Sequence, residues 1–174
     1  VVDGVLVNAR DVTERRSSRH ELRTLVDNLP GYVYRHRNEP GWPLEFVKGS
    51  AVDIAGYTAA ELEDDVSLVE KTIHPEDREA VWTGVQEGLA ESDRYDLTYR
   101  ILTPDGETRW IRDQGQLIED PTTGEELLDG FITDVTDRKQ RERELARTER
   151  RYRAIFDDPN ILVGLIDTDG TVRD

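Results

Sequence analysis

The order of elements in this chain predicts an α+β fold in which small helices pack on one face of an antiparallel sheet. Three observations carry that prediction. Two short apolar-alternating runs come first, several helical turns and one longer helix follow, and three further alternating runs close the unit. The last three meet at Pro104-Asp105-Gly106 and at Pro121 to Glu125, both good turn sequences.

Taken in order, Thr13 to Leu29 lacks proline and glycine and places Leu22, Leu25, Val26 and Leu29 at the spacing of one helical face. Pro30-Gly31 stops that helix. Tyr32 to His36 reads as a strand, Arg37 to Pro43 as a loop, and Leu44 to Val47 as the hairpin partner. Short helices are expected between Ser50 and Glu63, broken at Gly56-Tyr57, with Ser50 capping the first and Thr58-Ala59-Ala60-Glu61 forming a capping box on the second. Pro75 at a first-turn position opens a helix to about Glu91, burying Val81, Trp82, Val85 and Leu89. Strands follow at Tyr95 to Leu102, Thr108 to Ile118 and Leu127 to Val135, and beyond Thr136 a helix carries Leu145, Tyr152, Ile155 and Phe156.

A repeat sets the domain organisation. Asp11-Val12-Thr13-Glu14-Arg15-Arg16 returns as Asp134-Val135-Thr136-Asp137-Arg138-Lys139, and Leu25 to Pro30 returns as Ile155 to Pro159. The expected layout is a C-terminal strand of a preceding module at 1–13, a connector helix at 14–29, a complete module at 30–136, a second connector helix at 137–157 and the start of a further module at 158–174. The separation of Asp11 from Asp27 is one heptad shorter than that of Asp134 from Asp157, which preserves helical phase. A rigid helix passing rotation or register between modules needs that phase, and a flexible tether does not. With no methionine and an opening in mid-strand, the chain is expected to be a piece of a longer polypeptide.

Composition removes several function classes. A net charge of −15 arises from 38 acidic against 23 basic residues, and only Lys48, Lys71 and Lys139 are lysines. An acidic, lysine-poor surface resembles that of a salt-loving archaeal protein, in which carboxylates hold water while salt screens their repulsion. Acidic clusters such as Glu61, Glu63, Asp64 and Asp65 therefore read as solvated surface. No basic face is concentrated for phosphate contact, so direct nucleic-acid binding is not expected. No apolar run approaches a membrane span, so this segment is expected to make no membrane contact and to lie in the cytoplasm. The absence of cysteine excludes disulfides, cysteine zinc sites and a covalent cysteine–flavin adduct.

The words Tyr99-Arg100, Pro104-Asp105-Gly106, Arg109-Trp110-Ile111, Gly130 and Asp134-Val135-Thr136 resemble one subgroup of the PAS sensor-domain family. Pro30-Gly31, Gly56-Tyr57 with Glu61-Leu62, and Ile73 to Arg78 extend the likeness upstream. The resemblance covers about residues 20 to 140. It implies a five-stranded antiparallel sheet cupping small helices around a pocket, in an input or relay module of a sensor kinase, transducer or regulator. It also implies that Asp134 and Thr136 join the last strand to an output helix, and either side chain is able to cap that helix. An ordinary cap without a signalling role is the bland alternative.

Other features weigh against catalysis. His20-Glu21-Leu22-Arg23-Thr24 resembles a phosphoacceptor box, yet it lacks the following proline and sits on the helix leading into a sensor module. His36 is isolated on a strand, His74 reads as a structural or capping residue, and three scattered histidines form no metal constellation. No cofactor is required, while reversible noncovalent flavin or haem stays open. A small-molecule ligand, if one binds, would be lined by Phe46, Ile54, Ile73, Trp82, Val85, Tyr99, Ile101, Ile111, Leu117 and Phe131, residues that equally suit simple core packing. Trp42 is a lid or interface anchor, or else a surface staple. The reading is a non-catalytic relay module, homodimeric through its connector helices, partnered by neighbouring modules and an output domain of its own chain. A ligand-free dimerisation spacer is the alternative.

Overall fold

The computed structural model describes residues 29–65, 67–156, 165–166 and 172–173. The expected strand at 1–13 and most of the connector at 14–29, His20 included, lie outside the described residues. So does most of 158–174. The chain divides into two units between Thr136 and Asp137.

The first unit is built on five strands: β1 (Tyr32–Arg37), β2 (Leu44–Gly49), β3 (Arg94–Leu102), β4 (Thr108–Glu119) and β5 (Glu126–Asp134). Their order across the sheet is β2-β1-β5-β4-β3, and every neighbouring pair is antiparallel. Strand alternation decides which face is covered. On β3, Tyr95, Tyr99 and Ile101 are buried while Asp96 and Thr98 between them are exposed. On β1, Tyr32, Tyr34 and His36 take the buried parity.

Four helices connect the two halves of the sheet: α1 (Ala51–Ala55), α2 (Ala59–Asp64), α3 (Ser67–Thr72) and α4 (Arg78–Ser92). The capping box on α2 forms as expected, with Thr58 Oγ1 accepting from the Glu61 N–H at 3.2 Å and the Glu61 carboxylate accepting from the Thr58 N–H at 2.8 Å. Ser50 differs from expectation: it precedes α1 but its side chain makes no capping hydrogen bond. Pro75 also differs, since it lies in a turn and α4 starts three residues later at Arg78. The reason lies in Asp77. Its carboxylate accepts from the backbone N–H of Arg100 at 2.9 Å and from both Nε and Nη2 of that arginine, so it ties the helix start to β3 instead of capping α4. A bidentate pair of this kind fixes geometry as well as charge.

Val81, Val85 and Leu89 of α4 are buried against the sheet, with Trp82 half-buried beside them. Val85, Ile101, Ile111, Leu127 and Leu128 are the most completely buried large apolar side chains among the described residues. Truncating one such residue to alanine costs about 2–5 kcal/mol, because the cavity left behind refills only in part.

The second unit contains α5 (Thr136–Phe156) from its second residue onward and a two-stranded antiparallel pair, β6 (Leu165–Ile166) with β7 (Val172–Arg173). Glu142 pairs with Arg138 and Lys139, and Glu149 with Arg153, at one-turn spacings along α5. Leu145 and Tyr152 are 73% and 60% exposed. Among the described residues no helix is long and apolar enough to cross a membrane.

Candidate functional site

A cavity of about 50 Å³ lies between the sheet and the helices. Of the residues expected to line a pocket, Ile73, Val85, Tyr99, Ile101 and Ile111 do so. Ile54 is buried in the same core without reaching the cavity, and Leu117 packs against that core half-buried. Trp82 stacks on Trp42 with ring centroids 4.9 Å apart, and it is Trp42 that forms the wall. Trp42 is 8% exposed, so it is neither a surface staple nor an exposed anchor.

Phe46 and Phe131 lie on the other face of the sheet. Phe46 pairs with Arg35 and Phe131 with Val33, and these take the parity opposite to Tyr32, Tyr34 and His36. With Val33, Gln114 and Asp129 they border a shallow groove, and the Asp129 carboxylate accepts from the Arg35 guanidinium. A one-residue difference in parity exchanges the two faces of a strand, and apolar character alone does not report parity.

Sequence reasoning missed the polar half of the cavity. Tyr34 pairs with Gly130 and Tyr95 with Gly115, while Gly115 and Gly130 pair with each other, so the four residues form one row across β1, β5, β4 and β3. A Cβ on Gly130 would come within 2.2 Å of the Tyr34 ring and one on Gly115 within 2.3 Å of the Tyr95 ring. The tyrosines lie over the bare glycine backbones, and their hydroxyls meet in a hydrogen bond. Asp113 sits beneath them. Its Oδ1 accepts from the Tyr34 hydroxyl at 2.6 Å and its Oδ2 from the Tyr99 hydroxyl at 2.9 Å. Each hydroxyl has one proton to give, so Tyr95 donates to the Tyr34 oxygen and the chain of donation ends on the carboxylate.

Burial pushes the Asp113 carboxyl up to about 6, against the opposing pull of its two tyrosine donors. Burial and the nearby Asp113 also push the hydroxyls of Tyr32, Tyr34, Tyr95 and Tyr99 upward, which keeps all four protonated. His36, isolated only along the sequence, stands in the cavity wall with its ring 4.5 Å from that of Tyr34. Burial lowers it to about 4, although hydrogen bonds to the carbonyls of Trp42 and Pro43 oppose the shift. The ring is therefore neutral. Its Nδ1 is buried and meets no partner among the described residues. The available signal was Asp113 itself, a carboxylate two residues after Ile111 on the buried parity of β4.

The volume restricts what the cavity holds. One water needs about 10–15 Å³ of such space, and a ligand of ordinary cofactor or drug size occupies a pocket of roughly 300–1,000 Å³. The walls as packed do not fit a flavin or a haem. His74 is elsewhere, its Nδ1 accepting from the Glu76 N–H at 3.3 Å at the turn before α4. No group of His, Asp and Glu suited to a metal ion occurs among the described residues.

Asp134 and Thr136 form a clasp at the start of α5. The Asp134 carboxylate accepts from the Thr136 N–H at 2.7 Å, and Thr136 Oγ1 accepts from the Trp110 N–H at 2.9 Å. The Val135 N–H donates to the Trp110 carbonyl at 2.8 Å. Trp110 adjoins Ile111, so the strand that holds the clasp is also the strand that carries Ile111 and Asp113 into the cavity.

A five-stranded antiparallel sheet covered on one face by short helices, with a small cavity between them and a clasped exit, defines a small α+β module. Residues 44–132, about half of the chain, match the family model described as PAS fold. The chain belongs to that family. It is 31% identical over 134 residues to the methyl sulfide methyltransferase-associated sensor of Methanosarcina acetivorans, a match covering 76% of this chain and 13% of that protein. It is 30% identical over 167 residues to the two-component sensor PprA of Pseudomonas aeruginosa, covering 93% of this chain and 18% of that one. The chain thus spans less than a fifth of the length of either relative. Among solved structures, the sensory box histidine kinase/response regulator of Burkholderia thailandensis is 29% identical with a TM-score of 0.58, over 78% of this chain and 98% of that one. The fold and these likenesses make this a PAS sensor domain of the kind carried by histidine kinases and two-component sensors.

Proposed function

We propose that residues 30–136 form a complete, non-catalytic relay module within a longer cytoplasmic signalling protein of a salt-loving archaeon. A change at the cavity, or strain from a neighbouring module, passes along β4 to the Asp134–Thr136 clasp and into the helix beyond. The observation that carries this reading is the double use of β4: Ile111 and Asp113 face the cavity, and Trp110 beside them receives Thr136. A shift of β4 therefore acts on both places through one backbone. The output is read by a homodimer, and the exposed apolar residues Leu145 and Tyr152, one heptad apart on α5, support pairing of that helix with a second copy. Neighbouring modules and an output domain of the same chain complete the set of partners.

The test replaces Asp134 and Thr136 with alanine in the full-length parent. Signal-dependent output should be lost while the circular dichroism spectrum and expression stay as in the wild type. Output that still follows the signal would end the proposal.

The second reading, a ligand-free spacer and dimerisation unit, has one observation in its favour. The cavity holds only a few water-sized volumes. Native mass spectrometry separates the two readings, since a retained small molecule belongs only to the first.

A further inference from the structure

The polar groups of the cavity are unbalanced, and the imbalance specifies a ligand class. Asp113 is 6% exposed and makes no ion pair among the described residues. No lysine or arginine among the described residues lines the cavity. A buried carboxylate without a cation is costly even when two hydroxyls donate to it, and each carboxylate oxygen keeps a lone pair for a further donor. His36 Nδ1 adds a second acceptor, buried and without a partner among the described residues. The Trp42 and Pro43 carbonyls oppose the lowering of its pKa and Nδ1 has no partner among the described residues, so the proton of the neutral ring is assigned to Nε2 and Nδ1 offers a lone pair without charge. The rings of Tyr34, Tyr95, Tyr99 and Trp42 supply π faces around the same space.

From this arrangement we infer that the cavity binds a small primary ammonium ion. Its positive charge compensates Asp113, its three N–H donors meet the Asp113 carboxylate, His36 Nδ1 and a tyrosine oxygen, and its short alkyl tail lies against Ile101, Ile111 and the aromatic rings. The volume limits it to a few non-hydrogen atoms. A carboxylate ligand of the same size is rejected, because it meets the like charge of Asp113 and no lysine or arginine in the lining. The inference rests on the proposal that the module responds to occupancy of this cavity, and it adds what the occupant is.

The probes are ethylammonium chloride, ethanol and sodium acetate, which match in size and differ in charge. Each is titrated at millimolar concentration into the isotopically labelled 174-residue protein at constant chloride and ionic strength. Resonance shifts and intermolecular nuclear Overhauser contacts to Tyr34, Tyr95 and Ile111 are then recorded. Ethylammonium should saturate with contacts to these residues and bind at least tenfold more tightly than ethanol, and acetate should give no cavity contacts. Asp113→Asn should remove the preference for ethylammonium over ethanol, and His36→Phe should weaken ethylammonium several-fold. If Asp113→Asn does not fold, the comparison of the three probes in the wild type with His36→Phe still decides. Ethanol binding as tightly as ethylammonium, or acetate binding at all, would overturn the ammonium assignment while leaving a ligand-binding cavity. Failure of all three probes to reach these residues would overturn the assignment and remove the support for a ligand-occupied cavity as well.

Discussion

Tyr34 on β1 and Tyr95 on β3 join their hydroxyls across the two strands that separate them. The contact exists because the residues between them, Gly130 and Gly115, have no side chains. Both rings line the cavity, and the contact leaves the Tyr34 proton to Asp113.

Gly130→Ala and Gly115→Ala should each destabilise the protein by about 3 kcal/mol, near the upper end of what overpacking costs. The new methyl meets the ring itself. Adding Tyr34→Phe to Gly130→Ala should therefore not restore stability, since the ring remains. Urea denaturation monitored by tryptophan fluorescence measures both. A Gly130→Ala protein as stable as the wild type would contradict the packing described.

Asp113 and His36 should give opposite pH dependences. The folded-state pKa of Asp113, about 6, lies above its ordinary 3.8, so its contribution is fully present below pH 3.8 and is lost as pH rises through about 6. That of His36, about 4, lies below its ordinary 6.5, so its contribution is present above pH 6.5 and is lost as pH falls through about 4. Between pH 4 and 6.5 the stability lead of wild type over Asp113→Asn should shrink as pH rises, and its lead over His36→Phe should grow. Each change is on the order of 3 kcal/mol. Denaturant midpoints taken across that range for the three proteins test the signs. Parallel curves would mean that neither group is buried as described.

Thr136→Val keeps the shape of the clasp but removes the acceptor for the Trp110 N–H. A stability loss of about 1 kcal/mol is expected, with faster amide hydrogen exchange at Trp110 and unchanged exchange at Tyr95, which pairs with Gly115 toward the other end of the β3–β4 ladder. Exchange at Trp110 equal to that of the wild type would show that Thr136 does not hold the strand.

The net charge of −15 predicts that salt stabilises the fold. Raising potassium chloride from 0.1 M to 1 M shortens the screening length from about 10 Å to about 3 Å and relieves self-repulsion among the surface carboxylates. The melting temperature should rise over that range. A flat or falling temperature would argue against the salt-adapted surface.

Features governed by near neighbours were legible in the sequence. The Thr58–Glu61 capping box joins residues three positions apart, and its two hydrogen bonds form as expected. The α4 stripe of Val81, Val85 and Leu89 follows from helical period alone. Where a distant partner competed, local reading failed. Asp77 serves Arg100, and α4 starts at Arg78 instead of the expected Pro75 turn. Ser50, by contrast, leaves its cap unmade, because its backbone (φ −81°, ψ 42°) is not in the extended conformation that Thr58 adopts to cap α2.

The sequence by itself determined the class of fold and the succession of strands and helices, because periodicity and turn chemistry act within a few positions along the chain. Only the tertiary structure decided that Phe46 and Phe131 leave the pocket face and that Tyr34, Tyr95, His36 and Asp113 gather in it. Those residues come from three different strands, β1, β3 and β4, and the pairing register that aligns Tyr34 with Gly130 and Tyr95 with Gly115 is a property of the assembled sheet.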